Sequence, residues 1–379
     1  MNTHKEADSF FSTVTDAKKL AIGFKALEQQ AKDAIDPHAF SYIQAGAGKE
    51  ETLRKNESSF EKYSIVPRFL TDVSNLDPSI QLFGRHLPVP ILFSPIGMQR
   101  MAHEKGEIAS SKAAGDFSLP FIQSTVSSYS IEEIAAETKD SPKWFQLYWS
   151  NNTDISFSMV ERAEKAGYEA IVLTVDTVQM GWRESDLRNQ FSPLKQGLGK
   201  ANYVHDPVFM DGLKDHEEDT IIEEILANIY HPSLHWDDLK KLKEKTALPI
   251  LLKGILHPED AKLSVQYGVD GIIVSNHGGR QLDGVISSID ALPQVVQAVE
   301  GRVPVIFDSG IRRGADIVRA LSLGATAVCI GRPYIYALAV NGEQGVKSYV
   351  TSLIDEFTTT MGLAGANTIK QLRNITIQS

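Results

Sequence analysis

The amino-acid sequence predicts a (β/α)8 barrel, in which eight parallel strands close into a ring surrounded by helices. Three observations predict it: eight short apolar segments rich in β-branched residues, amphipathic segments between most of them, and glycines at the ends of several amphipathic segments. The 379 residues are 42% hydrophobic and 23% charged, which is typical of a globular protein with a large core. A doubly wound sheet is the competing fold, but it seldom needs so many consecutive β–α units.

The eight apolar segments are too short for helices and lack period-two alternation, as expected for parallel strands buried on both faces. In chain order they are PILFSPI from Pro90, LPFIQS from Leu119, KWFQLYW from Lys143, AIVLTVD from Ala170, PILLKG from Pro249, GIIVSNHG from Gly271, PVIFDSG from Pro304 and AVCIGRP from Ala327. Helices such as SIEEIAAETK and RGADIVRALSLG are predicted between them. Glycines expected just past helix ends are Gly167, Gly268, Gly301 and Gly324.

Two regions fall outside the repeat, although the whole chain is read as one domain. Residues 1–85 are predicted to form an N-terminal helical cap, with an amphipathic helix near AIGFKALEQQAKDAI, and residues 86–379 the barrel. An insertion over about 186–246 follows the fourth strand. A connection this long is unusual unless it is functional or mobile. Because it follows the C-terminal end of a strand, we predict a lid over the active-site face.

Composition excludes several classes of protein. The formal net charge of −10 argues against nucleic acid or an anionic membrane as a partner. No apolar run approaches the ~20 residues of a membrane span, and the N-terminus shows no secretory signal, so we expect a cytoplasmic protein. Cys329, the single cysteine, allows neither a disulfide nor a zinc–cysteine site and is interpreted as a buried core thiol. No metal site is predicted.

Polar residues follow six of the predicted strands. Catalytic groups of such barrels come from the C-terminal ends of the strands, so these residues are expected to share one rim. They are Gln146 and Tyr148 after the third strand, Thr174 and Asp176 after the fourth, Lys253 after the fifth, Ser275, Asn276, His277 and Arg280 after the sixth, Asp308 after the seventh, and Gly331 and Arg332 after the eighth. The sequence therefore predicts an active site there.

The segments after the last two strands predict a phosphate site. Gly310, Arg312 and Arg313 follow the seventh strand, and Gly331 and Arg332 follow the eighth. Glycine-containing loops at these two strands are the common place where barrels bind phosphate, through backbone N–H groups and an arginine. A phosphorylated substrate or cofactor is expected.

The remaining candidates point to acid–base and anion chemistry. His277 stands between glycine-rich neighbours in SNHGGRQ, and Asp176 on the same rim could orient its ring and stabilise the imidazolium. Lys253 suits either a Schiff base or stabilisation of a delocalised anion such as a reduced flavin. Side chains that could bind a carboxylate or hydroxyl group are Arg183, Arg280, Tyr42 and Tyr148.

Several of these motifs resemble one known family. SNHGGRQLDG, DSGIRRGADI, GRP, LTVDT and FQLY are similar to segments of the FMN-dependent L-2-hydroxy acid oxidases and dehydrogenases, from about Phe40 to the C-terminus. SPIGM, FIQSTVSS, DTVQMGWRESDL, NYVHDPVF and HPSLHWDDL resemble the lactate 2-monooxygenase branch more closely. The resemblance implies FMN, a small L-2-hydroxy acid such as lactate, O2 as acceptor, and a homotetramer.

The resemblance also implies a role for each matching residue. His277 would be the base, with Asp176 behind it; Arg280, Arg183 and Tyr42 would bind the substrate carboxylate, and Tyr148 the hydroxyl and keto oxygens. Lys253 would lie near flavin N1 and O2. The other FMN contacts would be Pro95, Ile96, Gly97, Ser124, Gln146, Thr174, Ser275, Asp308, Gly310, Arg312, Gly331 and Arg332.

The outcome of the reaction is left between two predictions. An oxidase would release the 2-oxo acid and hydrogen peroxide, whereas a monooxygenase would release acetate, CO2 and water. Gly97 favours the monooxygenase branch, because many oxidases carry alanine there, but a glycine could equally be a backbone requirement. Whether hydride or a carbanion forms is also left open. The apolar Val126, Met98 and Met180 are candidates for the side-chain pocket.

Three competing functions share the barrel. A non-redox flavin isomerase would need the phosphate site but not a histidine and two arginines arranged for a carboxylate. An aldolase would use Lys253 as a Schiff base. A non-catalytic binding protein would have no need of the acid–base and anion-binding groups together.

Overall fold

The computed structural model describes residues 20–379, and this range begins with three helices and three short strands. They are α1 (Phe24–Ala34), α2 (Pro37–Gln44), α3 (Glu51–Ser58), β1 (Ser64–Val66), β2 (Ile80–Leu82) and β3 (Arg85–Leu87). Helix α1 is the predicted amphipathic helix, with Leu27 and Ala31 buried one turn apart. The second half of the predicted cap is extended rather than helical, because β2 and β3 pair as a hairpin around Phe83 and Gly84, both at positive φ. Residues 1–19 of that cap lie outside the described residues.

The predicted barrel is confirmed. Its eight parallel strands are β4 (Ile91–Phe93), β5 (Phe121–Ser124), β6 (Lys143–Leu147), β7 (Ile171–Thr174), β8 (Ile250–Lys253), β9 (Gly271–Val274), β10 (Val305–Phe307) and β11 (Ala327–Ile330). They pair in chain order, and β11 returns to β4 to close the ring. All the residues of these strands are buried, which explains the near-continuous apolar segments in the sequence.

Helices connect the strands on the outside of the barrel. They are α4 (Gly106–Asp116), α5 (Ile131–Thr138), α6 (Thr153–Lys165), α7 (Glu184–Asn189), α8 (Ala201–Val204), α9 (Pro207–Asp211), α10 (Glu218–Asn228), α11 (Trp236–Lys243), α12 (Pro258–Gln266), α13 (Ser288–Val299), α14 (Gly314–Ser322), α15 (Arg332–Leu363) and α16 (Ile369–Leu372), before strand β12 (Thr376–Gln378), which pairs with β1. Local signals set their starts; Ser130, for example, forms a capping box with Glu133. No helix within residues 20–379 has the length and apolar character to cross a membrane.

The long insertion after the fourth barrel strand contains α7 to α10 and leads into α11. It packs against the C-terminal end of the barrel. Asn202 in α8 donates from Nδ2 to the backbone carbonyls of Ser124 and Thr125 (3.2 and 2.9 Å), just after β5. A Cβ atom added at Gly199 would lie 2.7 Å from Cγ of Met98. The insertion therefore lies directly against the loops that follow β4 and β5.

Candidate active site

A hydrogen-bonded histidine–aspartate pair lies at the C-terminal end of the barrel. His277 Nδ1 lies 2.8 Å from Asp176 Oδ1, and Thr177 Oγ1 donates to the same oxygen at 2.9 Å. The two residues follow β9 and β7, strands separated only by β8. Because Nδ1 faces Asp176, the other ring nitrogen, Nε2, is available to the cleft that His277 lines.

The environment of this pair favours a neutral imidazole beside an ionised carboxylate. Burial lowers the pKa of His277 below its ordinary value of 6.5, and the opposing effect of Asp176 does not outweigh it. Burial alone would raise the pKa of Asp176, but the charges of His277 and Lys253 outweigh burial and lower it. The pair can therefore accept a proton at Nε2 and stabilise the imidazolium that results.

Lys253 ends β8 inside the barrel, within a hydrogen-bonded network. Its Nζ donates to Ser275 Oγ at 3.1 Å and lies 3.6 Å from Asp308 Oδ2. The Asp308 carboxylate also accepts from Ser275 Oγ (2.5 Å) and Ser94 Oγ (2.6 Å). The lysine side chain is only 4% exposed, so its charge is held in place by Asp308 and can act on negative charge in the cleft.

Two arginines converge on Tyr42. The guanidinium carbons of Arg280 and Arg183 lie 4.7 and 6.0 Å from the centre of the Tyr42 ring. Arg280 Nη1 donates to the carbonyls of Tyr42 (2.6 Å) and Ala45 (2.7 Å), and Arg183 Nε donates to the carbonyl of Arg280 (3.2 Å). These bonds use only part of the N–H groups of each arginine. The cluster can thus bind a carboxylate with geometry already fixed.

Two further groups lie close to this cluster. Burial, with the nearby Asp176 charge, raises the pKa of Tyr148, so its phenol remains a hydrogen-bond donor. Asp186 in α7 is 7% exposed, and its Oδ2 lies 3.9 Å from Arg183 Nη1 without a hydrogen-bond partner. Burial raises the pKa of Asp186. No sequence prediction named Asp186, because an acidic residue in the first turn of a helix is an ordinary surface feature.

The predicted phosphate end of the cleft is strongly cationic. Arg332 donates to three backbone carbonyls at 2.9–3.0 Å, and Arg312 Nε and Nη2 donate to Glu57 Oε1 at 3.3 and 3.2 Å. Gly310 and Gly331 line the same end. Glu57 lies in α3, within the predicted cap, and nothing in its sequence context suggested contact with this site. Glu57 thus pairs with an arginine that lines the cleft.

The loops after β4 and β5 form one wall of the cleft. Met98 N donates to the carbonyl of Val126 at 2.9 Å and fastens the two loops together. A Cβ atom at Gly97 would lie 2.4 Å from that same carbonyl oxygen. Glycine at 97 is therefore required by the close approach of the two loops. Of the two interpretations of Gly97 that the sequence allows, the structure supports the backbone requirement.

Most of the predicted site residues line this single cleft. They are Tyr42, Pro95, Ile96, Gly97, Ser124, Tyr148, Arg183, Lys253, His277, Arg280, Asp308, Gly310, Arg312, Gly331 and Arg332. The others lie directly behind the lining: Asp176 on His277, Gln146 on Ser124, Ser275 on Lys253, and Thr174 paired with Lys253 in the sheet. Residues from distant parts of the sequence therefore meet at one place, as expected from the strand-end rule that catalytic groups follow the C-terminal ends of barrel strands.

The cleft also contains residues that were not predicted, and it excludes one candidate. Ser94, Met101, Ser309 and Ile311 line it, as do the predicted Met98 and Val126. Ser94 and Ser309 follow β4 and β10 closely, so the strand-end rule could have found them, whereas Met101 and Ile311 carried no polar signal. Met180 is 52% exposed and does not line the cleft. Cys329 is buried, as predicted, and touches the cleft.

Comparison with known proteins accounts for this set of residues. The sequence profile of FMN-dependent dehydrogenases matches residues 31–379. The chain belongs to this family. It is 55% identical to an L-lactate oxidase of Lysinibacillus sphaericus (strain C3-41), over 100% of this chain and 98% of that protein. It is 43% identical to an L-lactate oxidase of Nostoc sp., covering 91% of this chain and 94% of that one.

Solved structures agree with the family assignment. A crystal structure of mandelate oxidase superposes with a TM-score of 0.84 at 38% identity, covering 94% of this chain and 99% of that chain. This member of the family is accordingly an oxidoreductase, and FMN is its cofactor.

The side chains that line the cleft, together with Gln146 directly behind Ser124, fit FMN. Gln146 Oε1 accepts from Ser124 Oγ and Thr125 N, both at 3.1 Å, while Gln146 Nε2 is buried without a partner. An unpaired buried amide donor is costly, and a flavin ring carries the acceptor atoms that would satisfy it. At the other end, Arg312 and Arg332 suit a phosphate dianion. A donor for the ring at one end and cations for the phosphate at the other match the polarity of FMN.

Proposed function

We propose that this protein oxidises L-lactate, a small 2-hydroxy acid, to pyruvate and passes the electrons to O2 as hydrogen peroxide. The observation that carries the proposal is the hydrogen-bonded His277–Asp176 pair, which faces a cleft that also holds two arginines for a carboxylate. The 55% identity to an L-lactate oxidase over the whole chain supports the same substrate.

Each group of the cleft has a part in this proposal. Arg280 and Arg183 bind the substrate carboxylate as a pair of forks, and the phenol of Tyr148 donates to the substrate hydroxyl oxygen. His277 takes up a proton at Nε2, and Asp176 stabilises the positive charge that the ring acquires. FMN, when bound, would supply the redox chemistry, as the acceptor of the two electrons and the second proton of the substrate and the donor of both to O2. Lys253 stabilises the negative charge that develops beside it.

The apolar side chains suit a substrate with a small side chain. Met98 and Val126 are 7% and 8% exposed, and both line the cleft near the loops that follow β4 and β5. Because Gly199 has no side chain, the insertion approaches Met98 closely. The methyl group of lactate suits these apolar surroundings.

Oxidase chemistry is proposed in preference to the monooxygenase outcome that the sequence favoured. The preference for a monooxygenase depended on Gly97, and the 2.4 Å approach of Val126 O gives that glycine a separate, structural reason. The two relatives named above are both lactate oxidases. We also propose that the protein is a cytoplasmic homotetramer. Each chain would form a single domain, with residues 1–85 as its cap and 86–379 as its barrel.

The test is product analysis with the purified holoenzyme in air, with L-lactate or D-lactate and with or without catalase. Without catalase we expect one pyruvate and one hydrogen peroxide for each O2 consumed, with L-lactate but not with D-lactate. With catalase, which returns half of the O2, we expect two pyruvates for each O2. Catalase matters because free peroxide slowly converts pyruvate to acetate outside the enzyme. Acetate that persists with catalase would make the enzyme a monooxygenase, and no reaction with L-lactate would contradict the proposed function.

A further inference from the structure

Ser309 has a backbone conformation that serine seldom adopts. It follows Asp308 at the end of β10, with φ of +84° in the left-handed region that favours glycine. It is 7% exposed and lines the cleft. Strain of this kind is concentrated at functional sites, where the surrounding structure holds a residue in place. The proposed function gives Ser309 no role, so its strain needs another reason.

The hydroxyl of Ser309 supplies that reason. Ser309 Oγ accepts a hydrogen bond from the backbone N–H of Gly278 at 3.0 Å. It also lies 3.4 Å from both Ser275 Oγ and Asp308 Oδ2, which keeps it within the network around Lys253. A glycine at 309 would relieve the backbone but would leave the Gly278 N–H without this acceptor.

The segment held by this bond carries the proposed base. His277, Gly278 and Gly279 have φ of +59°, +63° and +76°, three left-handed residues in succession. Several bonds hold this turn: His277 N donates to Ser275 Oγ at 3.0 Å, and Arg332 Nη1 donates to the carbonyl of Gly278 at 2.9 Å. The bond from Gly278 N to Ser309 Oγ fixes the backbone one residue after His277, in the middle of the turn.

We propose that Ser309 is a positioning residue, whose hydroxyl holds the turn of residues 277–279 and thereby directs Nε2 of His277 toward the substrate. The inference rests on the proposed function for the part that concerns lactate. It implies that two parts of the Ser309 side chain have opposite effects. The hydroxyl serves activity, whereas the Cβ atom in a left-handed conformation lowers stability.

Two variants separate these contributions. Ser309→Gly and Ser309→Ala both remove the hydroxyl, but only alanine keeps the Cβ atom. We expect kcat for L-lactate to fall about tenfold in both, as for the loss of one hydrogen bond. KM should change less than about twofold because Arg183 and Arg280 are untouched. The melting temperature of Ser309→Ala should lie below that of Ser309→Gly.

Ser118 provides the matched control. It is also a serine at positive φ (+54°), but it is exposed, beyond α4 and away from the cleft. Ser118→Ala should likewise melt below Ser118→Gly, and both should keep the wild-type kcat. A fall of kcat at position 309 alone would separate the role of the hydroxyl from backbone strain.

A second readout does not depend on the substrate. Hydrogen–deuterium exchange of the holoenzyme should be faster in the peptide containing Gly278 in both Ser309 variants, and unchanged in the Ser118 variants. If wild type fails to oxidise L-lactate, the proposed function fails while the exchange still tests Ser309. The inference is overturned by unchanged exchange, by wild-type kcat in both Ser309 variants, or by a loss of kcat that matches a loss of bound FMN.

Discussion

The two ends of the barrel are built from the same eight strands but contain opposite kinds of side chain. At the N-terminal end, Leu251 and Trp144 lie in an apolar cluster that the hairpin of β2 and β3 covers. Phe83 of this hairpin packs edge-on against Trp144, with ring centres 5.6 Å apart. At the C-terminal end, Lys253 and His277 lie among hydrogen-bonded polar groups.

The difference arises over two residues of each strand. Side chains two positions apart point to the same side of a strand, so an apolar residue inside the barrel is followed toward the cleft by a residue of the site. The pairs are Leu92 and Ser94, Ile122 and Ser124, Trp144 and Gln146, Val172 and Thr174, Leu251 and Lys253, Ile273 and Ser275, Ile306 and Asp308, and Cys329 and Gly331. A packed apolar layer therefore lies directly below the layer of site residues. The strands that are fixed by the apolar layer also fix the positions of the polar groups.

The largest expected effect is on kcat, when a histidine is replaced by asparagine at each end of the barrel in turn. His277→Asn should lower kcat by about 10²–10⁴-fold, because a positioned base is lost, with little change in melting temperature. His86→Asn, in β3 at the other end and exposed, is the matched control and should keep wild-type kcat. Steady-state oxygen uptake and thermal melting of both variants check this. Equal activity of the two variants would mean that the C-terminal end is not where the chemistry occurs.

The next effect contrasts two variants of strand β8, one that should lower stability and one that should lower activity. Leu251→Ala leaves a cavity in the apolar layer and should lower the free energy of unfolding by about 2–5 kcal/mol while KM stays unchanged. Lys253→Met, two residues on, should instead lower kcat. Denaturant unfolding and kinetics of the two variants measure the contrast. A large loss of kcat in Leu251→Ala at a temperature where it is folded would break the separation of layers.

A smaller effect tests the arginines at the rim. Arg280→Lys keeps the charge but loses the fork, so KM for L-lactate should rise about ten- to hundredfold, with kcat affected less. Arg302→Lys, on a partly exposed arginine after α13, is the control and should leave KM unchanged. A rise in KM for both variants, or for neither, would count against carboxylate binding by Arg280.

The strands of the barrel and the site residues at their ends could be predicted from the sequence, but several contacts made by the segments that cover the barrel could not. Apolar segments such as PILLKG predict both the buried strand and the polar residue at its end, because a short apolar run indicates a buried strand and active-site groups follow the ends of such strands. Glu57 and Asp186 could not be predicted in this way. Their contacts with Arg312 and Arg183 depend on how the α3 segment and the insertion fold back onto the rim.

The extended half of the predicted cap has a similar cause. Segments around β2 and β3 are short and carry weak periodicity, so their hairpin depends on the apolar cluster beneath it rather than on local preference. Gly97 is a related case, since only the position of Val126 O explains why glycine is required. Contacts between segments far apart in sequence are what the residues alone could not supply.

The smallest expected effect is a shift in pH dependence. The base must be unprotonated to act, and burial lowers the pKa of His277 below 6.5, so the acid limb of kcat/KM should have its midpoint below pH 6.5. Asp176 opposes that lowering. Asp176→Asn should therefore move the acid limb to still lower pH, in addition to reducing the rate. A pH profile of both enzymes measures the shift, and movement to higher pH would contradict the assignment.

The central claim is that the polar end of the barrel removes two protons and two electrons from L-lactate. Anaerobic mixing of the holoenzyme with L-lactate, while the visible flavin absorbance is recorded, tests it most directly. The account predicts rapid bleaching by L-lactate but not by D-lactate, slow bleaching in His277→Asn and normal bleaching in His86→Asn. Absence of bleaching in the wild type, or equal bleaching by the two enantiomers, would contradict it.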